Sequence, residues 1–144
     1  MKTVAELLQS KGNASVYTIS PDQTVLEAVA LIADKGIGAL LVTEGSDVVG
    51  IITERDYARK VILLERSSQA TPVSDIMTAA VMYVHPNQTS SECMKLMTEK
   101  RLRHLPVLEN GKLLGLLSVG DLVKGVISDQ QETIDQLEQY IRGE

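Results

Sequence analysis

Two carboxylates in this chain, Asp56 and Asp121, each follow a hydroxyl, Thr53 and Ser118, by three positions. The local context is shared: Gly50-Ile51-Ile52-Thr53-Glu54-Arg55-Asp56 reappears 65 positions later as Gly115-Leu116-Leu117-Ser118-Val119-Gly120-Asp121. A glycine followed by two aliphatic residues reads as the end of a buried strand, and the apolar-periodic run opened by the aspartate reads as a helix. At such a turn the unpaired backbone N–H groups, the hydroxyl and the carboxylate collect at one helix N-terminus, where an anionic or polyol ligand can be held. The same spacing is also a capping box that only stabilises a helix start. One copy alone leaves both readings open.

The elements that must position these corners follow from the patterning. Val4 to Gln9 is a short amphipathic segment, ended by Lys11-Gly12-Asn13. Val16 to Ser20 alternates like a strand, and Ser20-Pro21-Asp22-Gln23 predicts a helix start with serine as cap and glutamine reaching back. Val25, Ala28, Val29 and Ile32 keep the helical stripe until Lys35-Gly36 closes it. Ile37 to Val42 is an apolar run suited to a strand covered on both faces, and Val48 to Ile52 returns as its hairpin partner across Glu44-Gly45-Ser46-Asp47. The helix after Thr53 carries Tyr57, Ala58, Val61 and Ile62, and its stripe could extend to Leu64.

The whole order then repeats at one offset: Pro21 with Pro86, Gln23 with Gln88, Thr24 with Thr89, Glu27 with Glu92, Val42 with Val107, Val61-Ile62 with Val126-Ile127. A constant offset over so many pairs is an internal duplication. The lead-in recurs as well, Val73-Ser74-Asp75-Ile76-Met77 resembling Val4-Ala5-Glu6-Leu7-Leu8. The reading is an α+β fold of two repeated β-α-β-β-α motifs packed pseudo-symmetrically into one module. Residues 1–66 form the first repeat with its N-terminal helix, 67–127 the second, and 128–144 a C-terminal amphipathic helix. Repeats this small are marginal alone, so the two should pack together and frame a cleft with two quasi-equivalent sites. The tail stripe Ile134, Leu137, Tyr140 and Ile141 needs a surface to lie on, in its own chain's core or on a second subunit.

Composition narrows the function. The 144 residues are 44% hydrophobic with neither Phe nor Trp, so the core must be aliphatic. A net charge of −5 without a long basic block argues against a sequence-independent grip on nucleic acid. Cys93 stands alone in an apolar-periodic segment, which predicts a buried, inert thiol and neither a disulfide nor a thiol metal site. No hydrophobic signal core opens the chain, and no apolar run nears the ~18 residues of a membrane span. The expectation is a cytoplasmic protein with no membrane partner.

The repeat order, the doubled Gly-aliphatic-aliphatic-Thr/Ser-x-x-Asp element and the stretch Arg101-Leu102-Arg103-His104-Leu105-Pro106-Val107 together resemble a tandem pair of cystathionine-beta-synthase (CBS) domains. The likeness is to the small stand-alone CBS-pair proteins and runs from residue 1 to about 127. It implies a non-catalytic regulatory sensor that binds an adenosine ligand between its repeats. AMP is expected first, then ADP, ATP or NAD, with S-adenosylmethionine as an alternative, and disc-like homodimers are common. In the family's pattern the backbone before each hydroxyl, here Ile52 and Leu117, helps read adenine. The residues before each proline, Thr18 and Ser20 in one half and Tyr83 and His85 in the other, border the base. Ile37, Gly38 and Pro106 complete the implied set.

The residue chemistry fits independently. A ribose presents two neighbouring hydroxyls, and one ionised carboxylate accepts from both, which suits Asp56 and Asp121. Thr53 and Ser118 can hydrogen-bond ribose or phosphate. Phosphate needs cations, and the halves differ: the second has Arg103 and His104, at positions that resemble phosphate contacts in the AMP-activated kinase regulatory subunit, where the first has Gly38 and Ala39, whereas Arg55 precedes the first aspartate and Gly120 the second. The expectation is that Arg55, Arg103 and His104 converge on the cleft, while His85 is a cap or rim residue. No metal is required, and the regulated partner is unidentified. Two rivals remain: a ligand-free interaction scaffold, and an enzyme such as a phosphohydrolase, for which two histidines and no dense carboxylate cluster offer poor material.

Overall fold

The computed structural model describes residues 1–11 and 16–143, so the predicted stop at Gly12-Asn13 lies outside the described residues. The chain forms two compact units. One gathers Tyr83–Glu109, the segment from Leu114 onward and the N-terminal helix; the other holds the first repeat through Met82 together with Asn110–Leu113.

In the first-repeat unit, β1 (Thr18–Ile19), β2 (Ala39–Glu44) and β3 (Asp47–Thr53) form one sheet in that order. The β1–β2 pair is parallel, with Ile19 opposite Val42, and β2–β3 is antiparallel, with Leu40 opposite Ile52. Helix α2 (Val25–Lys35) lays Val25, Ala28 and Ile32 on a core shared with Leu40, Val42, Ile52 and Val61. Four consecutive buried residues in β2 match the apolar run that predicted a doubly covered strand. Gly36 closes α2 in the left-handed conformation (φ 63°), which favours glycine.

The start of α2 differs from expectation. Ser20 to Gln23 forms a turn, in which the Ser20 N–H donates to Gln23 Oε1 at 3.0 Å. The cap is Thr24, whose hydroxyl accepts from Glu27 N at 3.2 Å. Thr24 stays extended because it bridges to Pro72, so helical geometry begins only after it. The predicted strand from Val16 to Ser20 is likewise cut to two residues. Helix α3 (Glu54–Tyr57) runs into a π-helical turn over Ala58–Ile62, in which Leu63 N donates to Ala58 O at 3.1 Å. Of the five apolar residues considered for this helix, only Val61 is fully buried; Tyr57 packs at the core edge, Ile62 is exposed, and Leu64, also exposed, lies past the end of the helical turn.

The second repeat contains α4 (Ser90–Lys100), β4 (His104–Glu109), β5 (Lys112–Ser118) and α5 (Val119–Arg142). Strands β4 and β5 pair, and Val84 makes a parallel bridge to Val107, the counterpart of Ile19 opposite Val42. Helix α1 (Val4–Ser10) belongs to this core: Val4 and Leu7 are buried with Val84, Cys93, Met97, Leu105, Val107, Leu117 and Leu122. Its start is stitched to the start of α4 by Val4 N donating to Gln88 O and Ser90 N to Lys2 O, both at 2.8 Å. The second lead-in does the same for the other core, since Val73 and Ile76 are buried in the first-repeat unit. Each lead-in thus packs with the repeat that does not follow it directly.

The apolar stripe of the tail is not absorbed into its own chain's core. Helix α5 runs unbroken to Arg142, and Ile134, Leu137, Tyr140 and Ile141 are all exposed, Tyr140 to 83%. No helix among the described residues is long and apolar enough to cross a membrane.

Candidate functional site

Both corners form as strand-to-helix turns, and in both the capping box is complete. Asp56 Oδ2 accepts from Thr53 N at 3.0 Å and from Thr53 Oγ1 at 3.2 Å, while Thr53 Oγ1 accepts from Asp56 N at 3.1 Å. Asp121 Oδ2 accepts from Ser118 N at 2.8 Å and Ser118 Oγ at 3.0 Å, and Ser118 Oγ accepts from Asp121 N at 3.2 Å. The strand turns into the helix at a fixed angle because Glu54 N donates to Gly38 O (3.2 Å) in one copy and Val119 N to Arg103 O (3.0 Å) in the other. Capping therefore uses one carboxylate oxygen. An ionised carboxylate has about four lone-pair sites, so helix capping and ligand binding are compatible at the same residue.

A cation stands against each carboxylate, and sequence reasoning missed both. Asp56 Oδ1 lies 3.2 Å from Lys60 Nζ, one turn along the same helix, and Lys60 also donates to Ile76 O at 2.9 Å. Asp121 Oδ2 lies 2.9 Å from Lys11 Nζ, which also donates to Leu116 O at 2.7 Å. Burial pushes the Asp121 carboxyl upward, but the hydrogen bond from Lys11, the Ser118 N–H and the Lys11 charge outweigh it and hold the group below its ordinary value. Asp121 is therefore ionised and acceptor-only near neutrality. The i, i+4 spacing of Asp56 and Lys60 was a readable signal; nothing local to Asp121 pointed to Lys11.

The glycine that opens each motif has a packing role. A Cβ on Gly50 would lie 2.6 Å from Met77 Sδ and 3.1 Å from the Thr78 carbonyl, and one on Gly115 would lie 2.7 Å from Leu8 Cδ2. Met77 and Leu8 are matching positions of the two lead-ins. The glycines let those segments lie flat on β3 and β5.

The remaining candidates divide evenly between the units. In the first-repeat unit, Thr18 is exposed on β1, Ser20 and Ile37 are half-buried, Gly38 supplies the carbonyl already described, and Ile52 is fully buried beside Thr53. Arg55 is exposed on the first turn of α3. In the second-repeat unit, Tyr83 and His85 meet edge to face with ring centroids 5.6 Å apart. His85 Nδ1 lies 3.3 Å from Leu108 O, and its backbone N–H donates to Gln88 Oε1 at 2.7 Å, which places it as a turn residue. Arg103 is exposed just before β4 and half-buried His104 opens that strand; Pro106 and Leu117 are buried. Cys93 is fully buried, and burial pushes its thiol pKa up, as an inert thiol requires.

Comparison with known proteins adds to this geometry. The family model for the CBS domain matches residues 4–63 and 73–128. A CBS domain-containing protein of Arabidopsis thaliana, CBSX3, mitochondrial, is 38% identical over 98% of this chain and 72% of its own. The solved structure of a CBS-domain protein from Burkholderia ambifaria MC40-6 superposes with a TM-score of 0.86 at 59% identity, covering 90% of this chain and 96% of that one. The crystal structure of CBSX2 in complex with AMP has the same fold, with a TM-score of 0.73 at 21% identity over 90% of this chain and 99% of that one.

Proposed function

The chain belongs to the CBS-domain family, whose paired domains are regulatory modules, and from that premise we propose that it is a non-catalytic sensor of an adenosine nucleotide, with AMP the preferred ligand. Asp56 and Asp121 each take the two ribose hydroxyls on the carboxylate sites that capping leaves over. Thr53 and Ser118 lie beside the sugar, the backbone at Ile52 and Leu117 meets the base, and Thr18, Ser20, Tyr83 and His85 border it. Arg55, Arg103 and His104 neutralise phosphate. ADP, ATP and NAD share the adenosine half and compete for the same corners. The mechanism is a population shift, in which a few kcal/mol of differential affinity is enough to bias one arrangement of the repeats for a partner to read.

The observation that carries this reading is that each capping carboxylate keeps acceptor capacity beside a helix N-terminus, in two copies. A structure of the same fold solved with AMP supports the choice of ligand. Titration calorimetry of ligand-stripped protein with AMP, ATP, NAD and S-adenosylmethionine is the test. AMP should bind, and the Asp56→Ala, Asp121→Ala double variant should weaken it at least about tenfold, as expected for a lost charge-assisted hydrogen bond. No heat from any of the four ligands would favour the interaction-scaffold reading, in which the corners only cap helices. In that case each alanine should cost about 1 kcal/mol of stability with no nucleotide dependence.

A further inference from the structure

Helix α5 continues well past residue 128, where the match to the CBS family model ends, and beyond Gly125 none of its residues is buried. The extension therefore adds nothing to its own core. Yet it is patterned: Val123, Ile127, Gln130, Ile134, Leu137 and Ile141 follow alternating steps of four and three. That is the spacing of the a and d positions in a coiled coil, and it keeps all six on one narrow face of the helix. The five apolar members are exposed, from Val123 at 46% to Ile141 at 80%. The opposite face is the one the chain uses itself, since Leu122 and Gly125 are buried there and Lys2 lies 3.7 Å from both Asp129 and Glu132.

The pattern selects its partner. Isoleucine at the a positions Ile127, Ile134 and Ile141, with Leu137 at d, is the combination that favours two parallel strands. In a parallel pair every residue meets its own counterpart, so Gln130 faces the same glutamine of a second copy, and the two amides can donate to and accept from each other. An antiparallel pair matching the same six positions would set Gln130 against Ile134 and leave the amide facing an apolar side chain. Charge agrees. Asp129, Glu132 and Asp135 sit at outer positions, while the flanks that cross a parallel seam pair Val126 with Gln131 and Thr133 with Glu138, so no like charges meet. A basic partner helix would find one acid on those flanks, Glu138, and one lysine, Lys124.

The area is sufficient. From Val123 to Ile141 the seam is about 27 Å long at 1.5 Å per residue. Tyr140, 83% exposed beside it, adds most of the roughly 150–250 Å² that an aromatic side chain can bury. With five aliphatic side chains on each helix, two copies would hide on the order of 1,000 Å² in all, the size at which a specific interface begins. At its start the seam adjoins an apolar hollow of about 150 Å³ between α4 and α5, lined by Met94, Val119 and Val123, so the apolar surface continues onto the second repeat. We infer that residues 123–141 form a parallel two-stranded coiled coil with the same residues of a second copy, in the register set by Gln130. The seam lies mostly past the CBS repeats, so it is separate from the disc-like pairing that the family resemblance implies and independent of any nucleotide.

Oxidative cross-linking and sedimentation velocity of the full chain test it. Ile141→Cys should give a disulfide-linked dimer under mild oxidation, because matching a positions of parallel strands come within the ~4.4–6.8 Å Cα separation that a disulfide spans. Gln136→Cys, on the outer face, should not. Cys93 is fully buried and stays out of the reaction. The Ile134→Asp, Leu137→Asp double variant should weaken dimerisation at least about tenfold on dilution. Its thermal melting, at concentrations where the wild type is monomeric, should match the wild type because both side chains are exposed. Equal cross-linking at 136 and 141, or an Ile141→Cys chain that joins only to a Val123→Cys chain, overturns the parallel seam. So does a double variant that dimerises as the wild type does, since the repeats alone would then hold the copies together. A wild type that stays monomeric at every concentration overturns it as well.

Discussion

Asp56 takes its ammonium from Lys60 on its own helix, whereas Asp121 takes it from Lys11 on the N-terminal helix. The position that matches Lys60 in the second repeat is Gly125. A Cβ there would lie 2.5 Å from Leu7 Cδ2, so the loss of the in-helix lysine and the close approach of α1 go together. Both carboxylate side chains are 13% exposed, and a largely buried charge without a partner is costly. Duplication kept the demand for a counter-charge at both corners but not its supplier. The lysine in each case ties a lead-in to the repeat it packs with: Lys60 reaches from the helix to the Ile76 carbonyl of one lead-in, and Lys11 reaches from the other lead-in to the Leu116 carbonyl.

The sharpest separation of the two corners should come from their opening glycines. Gly50→Ala drives a methyl against Met77 and the Thr78 backbone carbonyl, and that carbonyl is fixed because it accepts from Ile51 N at 3.0 Å. The expected loss is about 1–3 kcal/mol by overpacking. Gly115→Ala meets only the end of the half-buried Leu8 side chain, which can turn aside. There the reduced entropy of the unfolded chain, worth about 0.4–1 kcal/mol, offsets most of the clash. Urea unfolding of both variants settles the order. Equal destabilisation would mean that the two lead-ins are held by the same kind of contact, against the structure.

A middle-sized effect separates the lysines. Lys11 is 27% exposed and bonds to both Asp121 and a carbonyl, so Lys11→Met should cost about 1–2 kcal/mol, the usual loss of a hydrogen-bonded charge. Lys60 is 41% exposed, and solvent screening leaves Lys60→Met with a loss of under about 0.5 kcal/mol. A double-mutant cycle between Lys11 and Asp121 should show coupling that the Lys60–Asp56 cycle lacks. If the Lys60 cycle gives the larger coupling, the source of the lysine has no energetic consequence and the comparison loses its meaning.

How much of this was legible depends on the range of the interaction. The constant offset, the caps at Thr53 and Ser118 and the stop at Gly36 are local, and each is written in residues a few positions apart. Where two local signals competed, the sequence was ambiguous: Ser20 with Gln23 and Thr24 with Glu27 both make cap-like bonds, and only the bridge from Thr24 to Pro72 decides which of them opens α2. Contacts between distant segments were not legible. Nothing near Lys11 announces Asp121, and no pattern in Val4 to Ser10 says that its apolar face belongs to the second repeat's core. The tail shows the same limit. Its periodicity gave the stripe through Ile134, Leu137, Tyr140 and Ile141 but could not say that the chain leaves it exposed.

The smallest expected effect is a pH dependence at the second corner. Lys11 and Ser118 hold the native Asp121 carboxyl below its ordinary value, so on acidification the unfolded chain takes up that proton first. Stability from this group is therefore complete above about pH 4, the ordinary carboxylate value, and is lost as pH falls toward the lower native value. Lys11→Met removes the leading cause of the depression and leaves burial, which acts the other way. Carboxyl-detected NMR titration should then show Asp121 protonating at higher pH in Lys11→Met than in the wild type. The acid limb of the stability curve should flatten accordingly. Identical titration of Asp121 in the two proteins would show that the Lys11 contact exerts no electrostatic hold. The second corner would then be an ordinary helix cap with a lysine lying nearby.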